Sequence, residues 1–589
     1  MPTADLTADV TPRESSAGAR LLHGSNGRLW RIREQPNLGA FAGAEWPPLI
    51  STLLAHREAD SLAEAMDYLG EPHELTDPLL MPNLEVAVDR LAEACRAGET
   101  VAVFGDYDVD GVTSTTILVE GLRALGARPI PYLPHRFTEG YGPNVGAVRF
   151  LRGEGASLLV TADCGTSAVE EVALANELGM EVIILDHHVA PSVLPEALAI
   201  VNPKLGGSEY GSEPAACGVA YKVVHDLHDR LGVEYDPAPH RALVALGTIC
   251  DLAPLVSENR DLVRIGLEAL QRTRRPGLLA LAAEAGAKLD ECDPDMCGWV
   301  LGPRINAAGR MDHARIALEL MLAEDATEAK HLAMRLEELN RQRRAETQDA
   351  LALASTLLSE EEQAGALLVV ATPEISSGIV GLAASRLVEQ YHRPAIVMQL
   401  VEGEGRASCR SIAGFDITAL LQRHADLFKR FGGHRAAAGF TIDASRLDEL
   451  RARLVADAGE RLDVSTLAPT IEVDAELPLH AVNGELLRWL QRLGPHGQGN
   501  PTPTFMSPAV EVREARTVGK DGSHLQFTLR EGRVTWRAIS FGNAEFAVPA
   551  GERADIVYTF RRDNLRGTLQ LEVLDLRPAE APAPASTRG

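Results

Sequence analysis

Three short apolar runs that each end in acid constrain the fold of this chain more than any other feature. VAVFG (101–105) runs into Asp106-Tyr107-Asp108-Val109-Asp110-Gly111, SLLVTA (157–162) into Asp163-Cys164-Gly165, and EVIIL (181–185) into Asp186-His187-His188. Runs without polar alternation suit strands covered on both faces, as in a parallel sheet between helices. Two more runs, PIPYL (129–133) and AIVNP (199–203), alternate with helix-like segments at 112–125 and 167–178, giving successive βαβ units. Ligands of an open α/β sheet bind at the carboxyl ends of its strands. The three acidic loops are therefore expected to meet at one point, joined by Asp251 after the apolar ALGTIC segment.

Carboxylates with one or two neutral imidazoles and no thiolate suit harder divalent ions, Mn²⁺ or Mg²⁺, with a lean to Mn²⁺. An alternating D-x-D-x-D lets one loop face two ions. A single aspartate here would be better explained as a helix N-cap, because Asp106 to Asp110 lead into a helix at Val112. Acids and histidines at three successive strand ends are better explained by metal. No GxSxG elbow supplies a serine nucleophile.

The chain has 589 residues, enough for about three or four domains. Hydrophobic residues make up 45% and charged residues 24%, ordinary globular values. No apolar stretch approaches the ~18 residues of a membrane span, and the first residues carry no secretory h-region. Seven cysteines without a CxxC speak for a reducing, cytoplasmic setting. Lys plus Arg number 57 against 83 Asp plus Glu, a formal charge of −26 that at face value disfavours a nucleic-acid partner. Locally the balance reverses: between 406 and 435, Arg406, Arg410, Arg423, Lys429, Arg430 and Arg435 face only Asp416 and Asp426. Arg272, Arg274 and Arg275 read as a solvated face.

Further along, Asp325 to Glu362 contains no Gly or Pro and reads as one long helix, a rigid connector. Alternation resumes with ALLVVAT (366–372), a helix near 378–391 and PAIVMQLV (394–401). Short strand-like runs between 508 and 577 predict a small β-barrel. The expected architecture is α/β: a parallel-sheet domain (46–320), the connector (321–364), a second α/β domain (365–462) and a small barrel domain (463–577). A partly disordered lead (1–45) precedes them and a disordered tail (578–589) follows.

FGDYDVDG, TADCG, the Asp186-His187-His188 triplet and the Asp251 segment resemble, in order, the four motifs of DHH phosphoesterases. GPRINAAGRM (302–311), SCRS (408–411), GGHRAAAGF (432–440) and GPHGQGNPTPTF (494–505) narrow the likeness to the RecJ-type single-strand-specific 5′→3′ exonucleases, over roughly residues 45–577. The resemblance implies that the second α/β domain is the DHH-associated domain and the barrel an OB-like nucleic-acid-binding domain. It implies two metals held by Asp108, Asp110, Asp163, His187 and Asp251, with Asp163 bridging and Asp106 or a water completing the set. Some relatives have a ligand histidine where this chain has Phe104. Asp163, Asp110 and His188 would be the catalytic residues, His188 beside the scissile phosphate.

The implied reaction is two-metal-ion hydrolysis of single-stranded DNA into mononucleotides, in recombination and repair. A terminal phosphate suits arginine forks and close backbone approach, from Arg136, Arg304, Arg310, Ser408, Arg410, Gly432, Gly433 and His434. The alternative for Gly432-Gly433-His434 is an ordinary turn before a helix, which the family resemblance disfavours. The site would then be a cleft between the two α/β domains, too narrow for a duplex, with Trp536, Phe541, Tyr558 and Phe560 of the barrel open to base stacking. The resemblance further implies a monomer beside a single-strand-binding protein and a RecQ-type helicase, and no membrane. Rival readings are a DHH hydrolase of short oligonucleotides or small phosphoesters, a catalytically inactive DHH-type scaffold, and a single-strand-binding protein without activity.

Overall fold

The computed structural model describes residues 19–73, 75–464, 467–519, 522–544, 548–563 and 568–579. Most of the expected tail and the first 18 residues of the expected lead lie outside them. The chain forms two compact units, one from Met1–Glu71, Ala468–Gly494 and Pro501–Gly589, the other from Pro72–Leu467 and Pro495–Asn500.

In the first unit, β1 (Arg20–His23) and β2 (Leu29–Ile32) make an antiparallel hairpin. The expected disordered lead is therefore ordered from about residue 19, and one side chain explains why. Trp30 is fully buried and donates its indole N–H to the buried Asp575 carboxylate at 2.8 Å. The helices Pro48–Ala55 and Leu62–Tyr68 also belong to this unit, not to the α/β domain expected to begin at 46. Their apolar faces (Ile50, Leu53, Leu54, Ala65) join the core of the barrel with Leu486, Leu490 and Phe505.

The second unit opens with the helix Leu84–Ala97 and a five-stranded parallel sheet of order β4-β3-β5-β6-β7. The strands are β3 (Thr100–Gly105), β4 (Arg128–Tyr132), β5 (Leu158–Ala162), β6 (Glu181–Leu185) and β7 (Ala199–Val201). Val101 and Val103 of β3 enter one core, Ala102 and Phe104 another, as a strand covered on both faces requires. Register then places the site: Gly105 pairs with Ala162 and Ala162 with Leu185, so the next residues, Asp106, Asp163 and Asp186, leave the sheet level with one another.

A helical layer follows, and Ala326–Leu357 crosses it as a 32-residue helix, about 48 Å long. Asp325 caps it, accepting from the amides of Thr327 and Glu328. It stops at Leu357 and does not reach the expected Glu362. Ser359 and Glu362 form a capping box that starts a separate turn at Glu360, a stop signal hidden inside a strongly helical composition.

The second lobe of this unit is a mixed sheet of order β11-β12-β10-β9-β8. Its strands are β8 (Leu368–Thr372), β9 (Ala395–Val401), β10 (Glu404–Arg410), β11 (Phe428–His434) and β12 (Ala437–Asp443). Gly432-Gly433-His434 is thus the end of an edge strand in a hairpin, not a turn before a helix. Gly433 has φ +148°, and a Cβ there would sit 2.4 Å from the Ala438 Cα, so the hairpin needs glycine.

Returning to the first unit, β13 (Thr470–Val473) adds in parallel to β2, and β14 (Ala475–Glu476) adds to the barrel. The barrel strands are β15 (Phe505–Val518), β16 (His524–Glu531), β17 (Val534–Ser540), β18 (Arg553–Asp563) and β19 (Thr568–Pro578). They run in the order β15-β16-β17-β19-β18, and β18 returns to β15 to close the ring. The fold is the expected α/β arrangement followed by a small closed barrel.

Of the four barrel aromatics, Tyr558 and Phe560 are core residues, since a barrel this small fills its interior with rings. Trp536 is half-buried, with its N–H on the Leu479 carbonyl. Phe541, 43% exposed, is the one of the four whose face stays open, with the Arg561 guanidinium 5.4 Å from its centre. Residues 495–500, expected at the entry to the barrel, instead attach to the second unit, where the Leu255 amide donates to the Gln498 carbonyl at 2.7 Å. All seven cysteines are free thiols, and no described helix is long and apolar enough to cross a membrane.

Candidate active site

The level strand ends bring five acids and two histidines together, and Asp251, at the C-terminal end of the helix Ala238–Cys250, joins them. Three overlapping groups have ligand atoms within 4.8 Å of one another: Asp106, Asp108 and Asp163; Asp110, His187 and Asp251; Asp163, His187 and His188. His187 Nε2 lies 3.2 Å from Asp163 and 3.9 Å from Asp110, and its Nδ1 lies 3.7 Å from Asp251. Burial pushes His187 down to about 3, so it is neutral and able to ligate at physiological pH.

The carboxylates are driven the other way. Burial first, then the Asp110 and Asp108 charges, raise Asp251 to about 9. Burial and Asp108 raise Asp110 to about 6, although the amides of Ala216 and Cys217 bind it at 2.7 and 2.9 Å and oppose the shift. Asp163 and Asp106 are buried and pushed well above the carboxylate range, Asp163 by burial and then Asp108, Asp110, Asp106 and Asp251. Asp163 also holds φ +63°, a left-handed conformation that points its side chain into the cluster. Asp106 Oδ1 is buried without a hydrogen-bond partner. Such an orphan among mutually repelling acids fits a bound cation.

Asp108 is both a helix cap and a member of the acid cluster, capping the helix Val109–Ala124 through the amides of Asp110 and Gly111. Asp110 caps a second helix, Ala216–Leu231, whose N-terminus has no cap of its own. Phe104 is core, stacked on Tyr132 at 5.3 Å, and faces no ligand position.

Two residues without an assigned role in the sequence reading hold the histidines. Asp186 Oδ1 accepts from His188 Nδ1 at 2.7 Å and from the amides of His187 and His188, while its Oδ2 accepts from the Thr166 amide and hydroxyl. Burial would raise Asp186, but the His188 bond holds it below its usual range, and the same bond lifts His188 against its own burial. Engaging Nδ1 leaves Nε2 as the working nitrogen of His188. Tyr141, 50% exposed, donates to the Asp163 carbonyl and lies 3.4 Å from His188 Nδ1.

Across the cleft, His434 stacks on His188 with ring centres 6.1 Å apart, and Gly432 and Gly433 line the same recess as Tyr141, Thr166 and His188. Gly432 has open space where a Cβ would be.

A second recess, about 190 Å³, lies between the two lobes and is lined by Arg136, Arg310, Arg406, Arg410, Ser377 and Ser408. It meets the start of the helix Val380–Tyr391, which has no side-chain cap. Gly378 lets that start approach, since a Cβ there would lie 2.2 Å from the Arg310 carbonyl. No carboxylate lines the recess, and none of its four arginines forms an ion pair among the described residues. Burial and the Arg136, Arg410 and Arg343 charges lower Arg310 to about 9. Arg136 lies 4.4 Å over the ring of Tyr107, the residue between Asp106 and Asp108, so the cationic recess borders the acid cluster.

Arg304 does not join them. It pairs with Glu337 at 2.7 Å and donates to the Val300 carbonyl, which makes it a brace between two helices. Arg275, read as a solvated surface charge, is another brace, paired with Glu120 and bonded to the Met321 carbonyl. Ser377, Gly378 and Arg406 were absent from the sequence-derived set. The SSGIVG segment (376–381) carries a signal in hindsight, small residues directly before a helix.

Comparison with known proteins agrees with this geometry. Family models match at residues 100–248 (DHH family, N-terminal domain), 364–459 (DHHA1 domain) and 473–575 (RecJ OB domain). The chain is 36% identical over 541 residues to the single-stranded-DNA-specific exonuclease RecJ of Bacillus subtilis, covering 90% of this chain and 68% of that one. It is 33% identical to the Haemophilus influenzae RecJ, covering 90% of this chain and 95% of the relative. Among solved structures, RecJ from Thermus thermophilus in complex with Mn²⁺ superposes with a TM-score of 0.80 at 32% identity, over 94% of this chain and 80% of that chain. The Mg²⁺ complex from the same organism gives 0.75 at 30% identity, over 94% and 79%. The parallel-sheet lobe with the acid cluster, the mixed-sheet lobe and the closed barrel fall within the three matched domains in turn, and the chain belongs to the RecJ family.

Proposed function

We infer that the chain is a metal-dependent exonuclease specific for single-stranded DNA, which seats a 5′-phosphate, works 5′→3′ and releases mononucleotides. One observation carries this reading: a cluster of acids and a pocket of unpaired arginines share one cleft, separated by Tyr107. A strand whose terminal phosphate lies among Arg136, Arg310, Arg410 and Ser408 has its next phosphate directed toward the acids. The terminus would be held by guanidinium forks and by free amides at the start of the Val380–Tyr391 helix.

Asp106, Asp108 and Asp163 would hold one divalent ion and Asp110, His187 and Asp251 the other, and Asp163, 3.2 Å from His187, would serve both. Bound Mn²⁺ or Mg²⁺ supplies Lewis acidity and lowers the pKa of an attacking water. His188, fixed by Asp186, presents Nε2 to the scissile phosphate. His434 and the open backbone at Gly432 flank the same phosphate from the other lobe. No protein nucleophile is involved. The facing lobes admit one strand and exclude a duplex by shape. Family membership supports a role in recombination and repair, in a monomer working beside a single-strand-binding protein and a RecQ-type helicase.

The test is product analysis on a long, internally labelled single strand with a 5′-phosphate, against its duplex and its 3′-blocked form. Mononucleotides released from the 5′ end, unaffected by the 3′ block and absent with the duplex, are expected. Activity confined to di- to pentanucleotides would favour a hydrolase of short oligonucleotides instead.

A further inference from the structure

The arginine recess carries more charge than a phosphomonoester brings. Arg136, Arg310, Arg406 and Arg410 line it with no carboxylate among its walls, whereas a terminal monophosphate brings at most about two negative charges. Next to Arg310, Arg343 of the long helix is also without an ion pair among the described residues; it donates to Asn340 and leaves its Nε without a partner. The volume of about 190 Å³ is many times the ~10–15 Å³ that one water needs. Several other arginines of this lobe find acids: Arg423 and Arg461 pair with Asp457, and Arg453 with Asp426. Arg406 sits two and four residues before Ser408 and Arg410 on β10, on the same face, and is the most exposed of the three.

We propose that the recess accepts 5′-di- and triphosphorylated strand ends as well as monophosphorylated ones, with Arg406 holding the phosphates beyond the first. This rests on reading the recess as the seat of the 5′ end. The chemistry at the acid cluster is unchanged. A water oxygen bonds to the phosphorus that joins the first and second nucleotides, the bond from that phosphorus to the first nucleotide's 3′-oxygen breaks, and that oxygen leaves as a hydroxyl with a proton. The first product is then a nucleoside 5′-triphosphate, no pyrophosphate is freed, and the shortened strand carries an ordinary 5′-monophosphate.

The experiment uses the full chain with Mn²⁺ in excess and three single strands of one sequence ending in 5′-hydroxyl, 5′-monophosphate or 5′-triphosphate. It reads kcat/KM for the first cut and the identity of the first nucleotide released. The triphosphate strand should be cut at least as efficiently as the monophosphate strand and release an intact nucleoside triphosphate. Arg406→Ala, an exposed substitution, should cost the triphosphate strand about tenfold more than the monophosphate strand, as expected for one charge-assisted bond. A triphosphate strand cut tenfold more slowly than the monophosphate strand, release of pyrophosphate with a monophosphate product, or equal losses for both ends in Arg406→Ala would overturn the proposal. Equal rates on hydroxyl and monophosphate ends would instead remove the 5′-phosphate seat on which it rests.

Discussion

The acid cluster and the arginine recess are built on opposite principles of support. Asp106, Asp163 and Asp186 hang from three adjacent strands whose register fixes them, and amides or imidazoles hold both oxygens of Asp110 and Asp186 and one of Asp163. The arginines come from a loop, a helix and a strand in two different lobes, and their guanidiniums have few protein partners. Both sites concentrate one sign of charge without internal compensation. The difference teaches that a metal site must be rigid before its ions arrive, whereas a phosphate seat can be completed by its ligand.

The sharpest attack on this contrast is Asp163→Asn. Asparagine tolerates a left-handed backbone, so the fold should persist, while cleavage should fall by on the order of 10³ or more as the shared ligand is lost. Single-strand affinity should remain, since the recess is untouched; wild-type cleavage in excess Mn²⁺ would break the metal assignment. A smaller effect is expected from Asp186→Asn, which loosens His188 without removing a ligand. Its cost should be roughly 10–100-fold in kcat with KM little changed, and a pure KM effect would contradict the positioning role.

The smallest effect is on stability without metal. Asp110 and Asp251 have folded values raised to about 6 and about 9. Their contribution is therefore complete below about pH 4, the unfolded value, and is lost as pH rises through those folded values. His187, lowered to about 3, acts in the opposite sense and only below about pH 6.5. The metal-free protein should lose Tm between pH 6 and 9, and added Mn²⁺ should raise Tm by about 2 °C or more beyond its effect at pH 6. A metal-linked gain that shrinks with pH would break the picture of a strained acid cluster.

The same contrast explains what the sequence revealed. Strand ends are legible because burial on both faces writes a continuous apolar run and the acid follows it directly; Asp106, Asp163 and Asp186 stand out in that pattern, whereas Asp251, at a helix end, needed the family resemblance. The recess was half legible. Arg136, Arg310 and Arg410 were named in the sequence reading, Arg310 and Arg410 from family-like motifs, but Ser377 and Arg406 lie outside those motifs and resemble ordinary loop and surface residues until the lobes meet. Arg304 misled because its partner, Glu337, lies 33 residues away on another helix. Asp186 was visible as a motif letter, yet its hold on His188 exists only in three dimensions. The helix stop at Leu357 was written in the sequence as a serine with a glutamate three residues on, and outweighed by composition.

The first unit is also the last to be completed when the chain is made. Trp30 and its carboxylate partner Asp575 are 545 residues apart, and the core around the barrel takes side chains from both ends of the chain. At a synthesis rate of about 5–20 residues per second, the tryptophan waits roughly half a minute to two minutes for that partner. The catalytic unit, drawn almost wholly from Pro72–Leu467, can fold on the ribosome meanwhile. The amino-terminal hairpin therefore waits, with Trp30 unburied, until the chain is almost complete.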